Sequence, residues 1–77
     1  MKIIKVTWHD ATSCDAWEDL GAVMNHGLHE VTTCGFFIHE NDERLIVALN
    51  LDEVGNSASQ YIAIPKAWIT ERKDVEV

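Results

Sequence analysis

Residues 61–72 read YIAIPKAWITER, and the fold turns on how this stretch is divided. It holds the only proline of the chain, Pro65, at the end of an apolar run and just before the adjacent Trp68 and Ile69. Proline locks φ at about −65° and offers no N–H, so a strand has to stop at Ile64 or lie at a sheet edge there. The next residues then make one helical turn that swings Trp68 and Ile69 inward, and the chain resumes as a short last strand. Strand, proline, tight turn with two apolar anchors and closing strand together describe a corner.

The rest of the chain supplies what such a corner closes. Lys2 to His9 is rich in β-branched and aromatic residues and reads as a first strand. Ser13 to Gly27 reads as a short helix: Ser13 is a possible N-cap, acids fill the first turn, and Trp17, Leu20 and Met24 form an apolar stripe. Gly21 weakens that helix by roughly 1 kcal/mol relative to alanine, and an irregular loop is the alternative. Glu30 to His39 alternates as a strand, with Cys34, Phe36 and Ile38 on one face. A polar turn at 41–43 leads into the apolar run Arg44 to Leu51, which makes a hairpin. Asp52 to Ser59 is a polar loop, and Gln60 to Ile64 resumes as a strand.

The corner YIAIPKAWI resembles the final turn of SH3-like domains. With the order strand, helix or loop, hairpin, hairpin, tight turn and last strand, it predicts a mainly β fold. This is a small SH3-like antiparallel β-barrel of about five strands, with one short helix or structured loop after strand 1. Residues 1–77 form a single domain, and the first and last strands are neighbours. A ferredoxin-like α+β fold would need a second helix, which the pattern lacks.

More of the chain, VTWHDATSCDAWEDL, CGFFIHENDERLIVALNL and YIAIPKAWI, resembles a widespread group of small phage and prophage proteins. They share a Trp-Asp pair, a serine and second tryptophan, a Gly-aromatic strand with an acidic turn, and an Ile-Pro-Lys ending. The resemblance implies an accessory protein of a virus or mobile element, acting in the cytoplasm of a bacterial host cell. That class includes inhibitors of bacterial defence and small-molecule sponges.

Composition narrows the function classes. A formal charge of −7 opposes a phosphate backbone, which argues against direct nucleic-acid binding. No apolar run approaches the roughly 18 residues a membrane span needs, and MKIIKVTWHD has no signal-peptide core, so a cytosolic protein without a membrane partner is expected. Cys14 and Cys34 are too few for a disulfide framework and read as ordinary thiols, with Cys34 in the core. So short a chain without staples often gains stability by self-association, and a homo-oligomer is expected. Lys2 and Lys5 near one end, and Lys66, Arg72 and Lys73 near the other, make one basic stripe if the termini pair.

Catalytic and metal motifs are weak. Cys14, His26, His29 and Cys34 lack the close spacing of a zinc site, and no cofactor or metal is expected. Cys34, His39 and Asp42 make a poor nucleophile set, because positions 34 and 39 of a strand point to opposite faces. Cys14 with His9 and Asp10 is sterically freer, but nothing beyond composition marks it. No catalytic residue is assigned, and a non-catalytic binding module is expected. Trp17 and Trp68 have positional reasons to be buried. Trp8 instead stands beside polar groups at a strand end, the combination a small-ligand pocket requires. The expected ligand site comprises Trp8, Asp10, Ser13, Asn56 and Ser57, with Lys66 or Arg72 countering a phosphate. The expected partner is a host protein or a small nucleotide-like ligand. The alternative is an acidic inhibitor that mimics nucleic acid through Asp15, Glu18, Asp19, Glu40, Asp42 and Glu43.

Overall fold

The computed structural model describes residues 2–13 and 15–75. Cys14, proposed above as a free thiol, lies outside the described residues. The fold is mainly β: five antiparallel strands form one sheet. These are β1 (Ile3–Asp10), β2 (His29–Glu40), β3 (Arg44–Asp52), β4 (Ser57–Pro65) and β5 (Ile69–Val75), in the order β4-β3-β2-β1-β5. A short helix, α1 (Leu20–Met24), follows β1, and a 3-10 turn over Lys66–Trp68 joins β4 to β5. The strand order and the corner are those expected. The barrel stays open, because β4 and β5 are the two edges of the sheet.

The corner works as the proline dictates. Pro65 ends β4 with φ −58° and pairs with Arg44. The Lys66 N–H that starts the tight turn donates to the Glu43 carbonyl at 2.9 Å, which ties the turn to the β2–β3 hairpin. In that hairpin the Asn41 side chain accepts from the N–H groups of Glu43 and Arg44 at 2.9 and 3.0 Å, an Asx turn that explains the NDE segment.

Alternation along β1 buries Ile4, Val6 and Trp8, which meet Leu45 and Val47 of β3 and Ile64 of β4. Val31, Phe37 and Ile69 pack around this cluster. Each fully buried aliphatic side chain of this kind contributes roughly 1.5–3 kcal/mol. On the opposite face Cys34 stands directly across from Lys5 and is exposed, which corrects its expected place in the core. The face assignment is the reason. Position 34 shares its side of the sheet with Lys5, and the inward positions of β2 in that row are Thr33 and Gly35.

Two segments leave the core. Pairing of β2 with β3 runs from Glu40↔Leu45 to Phe36↔Ala48 and stops, so the distal β3–β4 hairpin is held only by its own ladder. Gly35 sits at this parting: a Cβ there would meet the Ala48 carbonyl oxygen at 2.5 Å and Val47 Cγ1 at 3.0 Å. The hairpin tip is a tight turn over 53–56, with Asn56 at φ 54°, rather than a loop reaching Ser59. Further along, the ladder skips the step opposite Leu49, where Gln60 takes φ 52°. The second segment is the excursion 11–28. Its helix is only five residues long and is capped by Asp19, whose carboxylate accepts from the Gly21 N–H at 3.0 Å, rather than by Ser13. Trp17 therefore precedes the helix and is fully exposed at 102%, and α1 buries no residue. The expected burial of the Trp17, Leu20 and Met24 stripe is corrected on this ground.

Candidate functional site

The two tryptophans of the corner exchange their expected places. Trp8 is buried at 6% exposure, and its indole N–H donates to Thr33 Oγ1 at 3.0 Å. Trp68 stacks on it, with ring centroids 6.3 Å apart and 15° between planes, and remains 42% exposed. A tight turn of three residues brings Ile69 against the core, and Trp68 covers the outside of Trp8. The result is a stacked aromatic pair whose outer ring, that of Trp68, stays partly open.

That ring forms part of a groove of about 270 Å³, lined by His9, Asp10, Ala11, Leu28, Ala67, Trp68 and Thr70. The ends of β1 and β5 build it. A register shift between Thr7 and Trp8 leaves Thr70 out of the regular pairing, and its hydroxyl donates to the Thr7 carbonyl at 3.2 Å. Asp10 is half-buried and accepts from the Ala11 N–H at 2.8 Å, which fixes the chain as it leaves the strand. His9 lies across from Glu30, with 3.9 Å between Nε2 and the carboxylate. The groove thus offers an aromatic face, apolar walls, a carboxylate, an imidazole and a hydroxyl. A planar ligand can stack there and exchange hydrogen bonds at its edge.

The residues expected to join Trp8 are spread over the molecule. Asp10 lies in the groove, and Trp8 supports it from beneath. Ser13 is exposed and borders a separate hollow with Thr12, Ala16, Glu18, Val23 and His26. Asn56 and Ser57 are at the hairpin tip, and the strand from Ser57 to Pro65 spans roughly 26 Å, so they do not reach the groove of the same chain. Lys66 and Arg72 both bind Glu40. Arg72 donates twice to its carboxylate, at 2.6 and 3.2 Å, and Lys66 Nζ lies 3.0 Å from Oε2. These partners, Arg72 first, hold the Glu40 carboxyl down at about 2. Both cations expected to counter a phosphate are thus engaged with Glu40 in this structure.

The basic stripe itself forms, because β1 and β5 do pair, but the pleat divides it. On the core side Lys2 lies 3.5 Å from Asp74 and 4.6 Å from the Phe37 ring centroid, and Arg72 takes Glu40. On the outer side Lys5 and Lys73 stand directly opposite each other. No ion pair within 4 Å involves either of them among the described residues. Like charges across a ladder are unfavourable, and this pair carries that cost in a chain with thirteen acids. Thr7 and Glu71 complete a small hollow beside it. Lys5, Thr7 and His9 are successive outward positions of β1, so a track of roughly 13 Å leads from the lysine pair to the groove. The Lys5–Lys73 juxtaposition was hidden in the sequence by 68 positions of separation; strand pairing of the termini was the one signal for it.

His26 lies 3.2 Å from Glu18 through Nε2, and no group of three metal-binding side chains occurs among the described residues. Comparison of the chain with protein-family models, with curated proteins and with solved structures found no match.

Proposed function

We propose that this protein is a non-catalytic binding module of phage or prophage type that withdraws a small, planar, anionic signalling molecule from its bacterial host. The observation that carries the reading is the half-exposed Trp68 ring, backed by buried Trp8 and set in a groove with Asp10, His9 and Thr70. Sequestration needs an aromatic face held rigid before the ligand arrives, since preorganisation reduces the entropy lost on binding. It also needs a cation for the phosphate, and the Lys5–Lys73 pair supplies one without breaking an ion pair among the described residues. The groove is shallower than enclosed ligand sites of about 300–1,000 Å³, so the ligand rests on the surface and is read by one face.

The acidic-inhibitor alternative is less favoured. Of its six carboxylates, Glu40 is bound by Arg72 and Lys66, and Glu18 by His26. That leaves too sparse an array to imitate a phosphate backbone.

The test is a titration of tryptophan fluorescence with an uncharged nucleoside, with pyrophosphate and with a nucleoside diphosphate. Quenching by the nucleoside that disappears in Trp68→Ala, and tighter binding of the diphosphate that is lost in Lys5→Ala, are expected. A protein that captures a host polypeptide from extract and binds none of the three small molecules would overturn the reading.

A further inference from the structure

We propose that the distal half of the β3–β4 hairpin docks a second copy of this chain, which adds across the free edge of β4 about a twofold axis. This inference does not depend on the ligand reading. It begins with surface area. A compact monomer of 8.7 kDa exposes about 4,700 Å², whereas this chain exposes 5997 Å². The excess, about 1,300 Å², exceeds the roughly 800 Å² that each partner contributes to a standard interface. The Cα radius of gyration agrees: 15.9 Å against about 11.5 Å for a compact chain of this length.

The excursion 11–28 accounts for part of this excess, and the exposed apolar side chains on the hairpin include a continuation of the core row. Val47 is buried, and Ile62 lies directly across from it, partly uncovered. Leu49, the next residue on the same face of β3, is 60% exposed. On the other face Tyr61, across from Ala48, is 68% exposed. Pairing with β2 ends at Phe36↔Ala48, so from Leu49 onward no strand flanks β3 on that side, and β4 has a free outer edge along its length, among the described residues.

The two sheet edges differ in a way that identifies the occupant. β5, ITERKDV, places Glu71, Arg72, Lys73 and Asp74 in succession, the charge pattern that protects an exposed edge from pairing. β4, SASQYIAIP, carries no charged residue, and its one proline is at the very end. An uncharged edge whose second half, Tyr61 to Ile64, is largely apolar would invite indiscriminate association unless a defined partner occupied it. The same edge of a second copy, antiparallel across a twofold axis, is self-complementary, since each strand then offers Tyr61 and Ile62 to the other.

Sedimentation velocity over a range of concentrations tests this. The wild type is expected to be dimeric. Tyr61→Lys and Leu49→Lys, both at exposed positions, are each expected to weaken the dimer by roughly tenfold or more. Leu20→Lys, on the exposed helix of the other segment, is expected to leave it unchanged. Circular dichroism of each variant establishes that the strands are retained. A wild type that stays monomeric, or a dimer unaffected by both hairpin variants but dissociated by Leu20→Lys, would overturn the proposal, and a ring of more than two copies would overturn the twofold arrangement.

Discussion

Gly35→Ala isolates the point where the two hairpins part. A methyl group at this position would lie 2.5 Å from the Ala48 carbonyl oxygen, a backbone atom of the neighbouring strand, and 3.0 Å from Val47 Cγ1. The carbonyl cannot move without disturbing the Phe36↔Ala48 pair that ends the β2–β3 ladder. Overpacking of this kind costs about 1–3 kcal/mol. A chain of 77 residues has a total stability of about 4–12 kcal/mol, so a quarter or more of a low total is at stake. The corresponding fall in Tm is about 4–24 °C. Gly27→Ala is the control, because a methyl group there meets nothing within 4 Å. Neither glycine has a positive φ, so alanine at 27 reduces only unfolded-state entropy and should be neutral or stabilising by up to about 1 kcal/mol. Urea unfolding followed by tryptophan fluorescence, at matched protein concentration, gives both values. Equal midpoints for the two variants would refute the close approach at Gly35.

The Glu40 carboxyl, held at about 2 in the fold by Arg72 and Lys66, makes its stabilising contribution in full above the ordinary glutamate value near 4.5 and loses it as pH falls toward 2. Protons bind the unfolded chain first across that window, so stability should rise with pH there, and Glu40→Gln should flatten the profile in acid-unfolding experiments. Lys73→Glu turns a like-charge pair into an opposite one and should stabilise the β1–β5 ladder by roughly 0.2–1 kcal/mol in urea while abolishing pyrophosphate binding. Ile64→Ala, at a fully buried position, should cost about 2–5 kcal/mol by the same assay. Cys34 is exposed on the outer face, so a thiol reagent should modify it in the folded protein without denaturant.

The sequence carried the fold where chemistry is local. Pro65 with the residues after it specified the corner, and the β-rich run Lys2 to His9 specified the first strand that carries Ile4 and Val6 into the core. It misled where local pattern and tertiary place diverge. Trp17, Leu20 and Met24 have helical spacing, yet Asp19 starts the helix after Trp17 and no sheet face lies beneath it. Cys34 sits in an apolar strand, but its outward phase depends on the register with Lys5, which no local pattern states. The site was readable only in part. Asp10 does border the groove with an aromatic ring, but the ring is that of Trp68; which tryptophan presents its face depended on whether the corner tucks Trp68 under Trp8 or over it. Asn56 and Ser57 looked like loop residues near the site because the length of β4 could not be counted before its start at Ser57 was known.

The pleat gives the five cations near the termini two separate duties. Core-side positions face the end of β2, where Glu40 waits at the hairpin, so Arg72 and Lys66 join the corner to that hairpin from opposite sides of one carboxylate. Lys2 fixes the strand start through Asp74 and Phe37. Lys5 and Lys73 differ: they face away from the core, oppose each other, and make no ion pair within 4 Å among the described residues. A domain this small has no interior to spare for a ligand, since its few buried side chains are all needed to hold five strands together. Binding therefore has to be assembled from outward positions of the strands, at a cost in stability where like charges are set opposite each other. The lysine pair has the character of such a position, and the opposite effects expected of Lys73→Glu, a more stable fold and lost anion binding, separate that role from an accident of sequence.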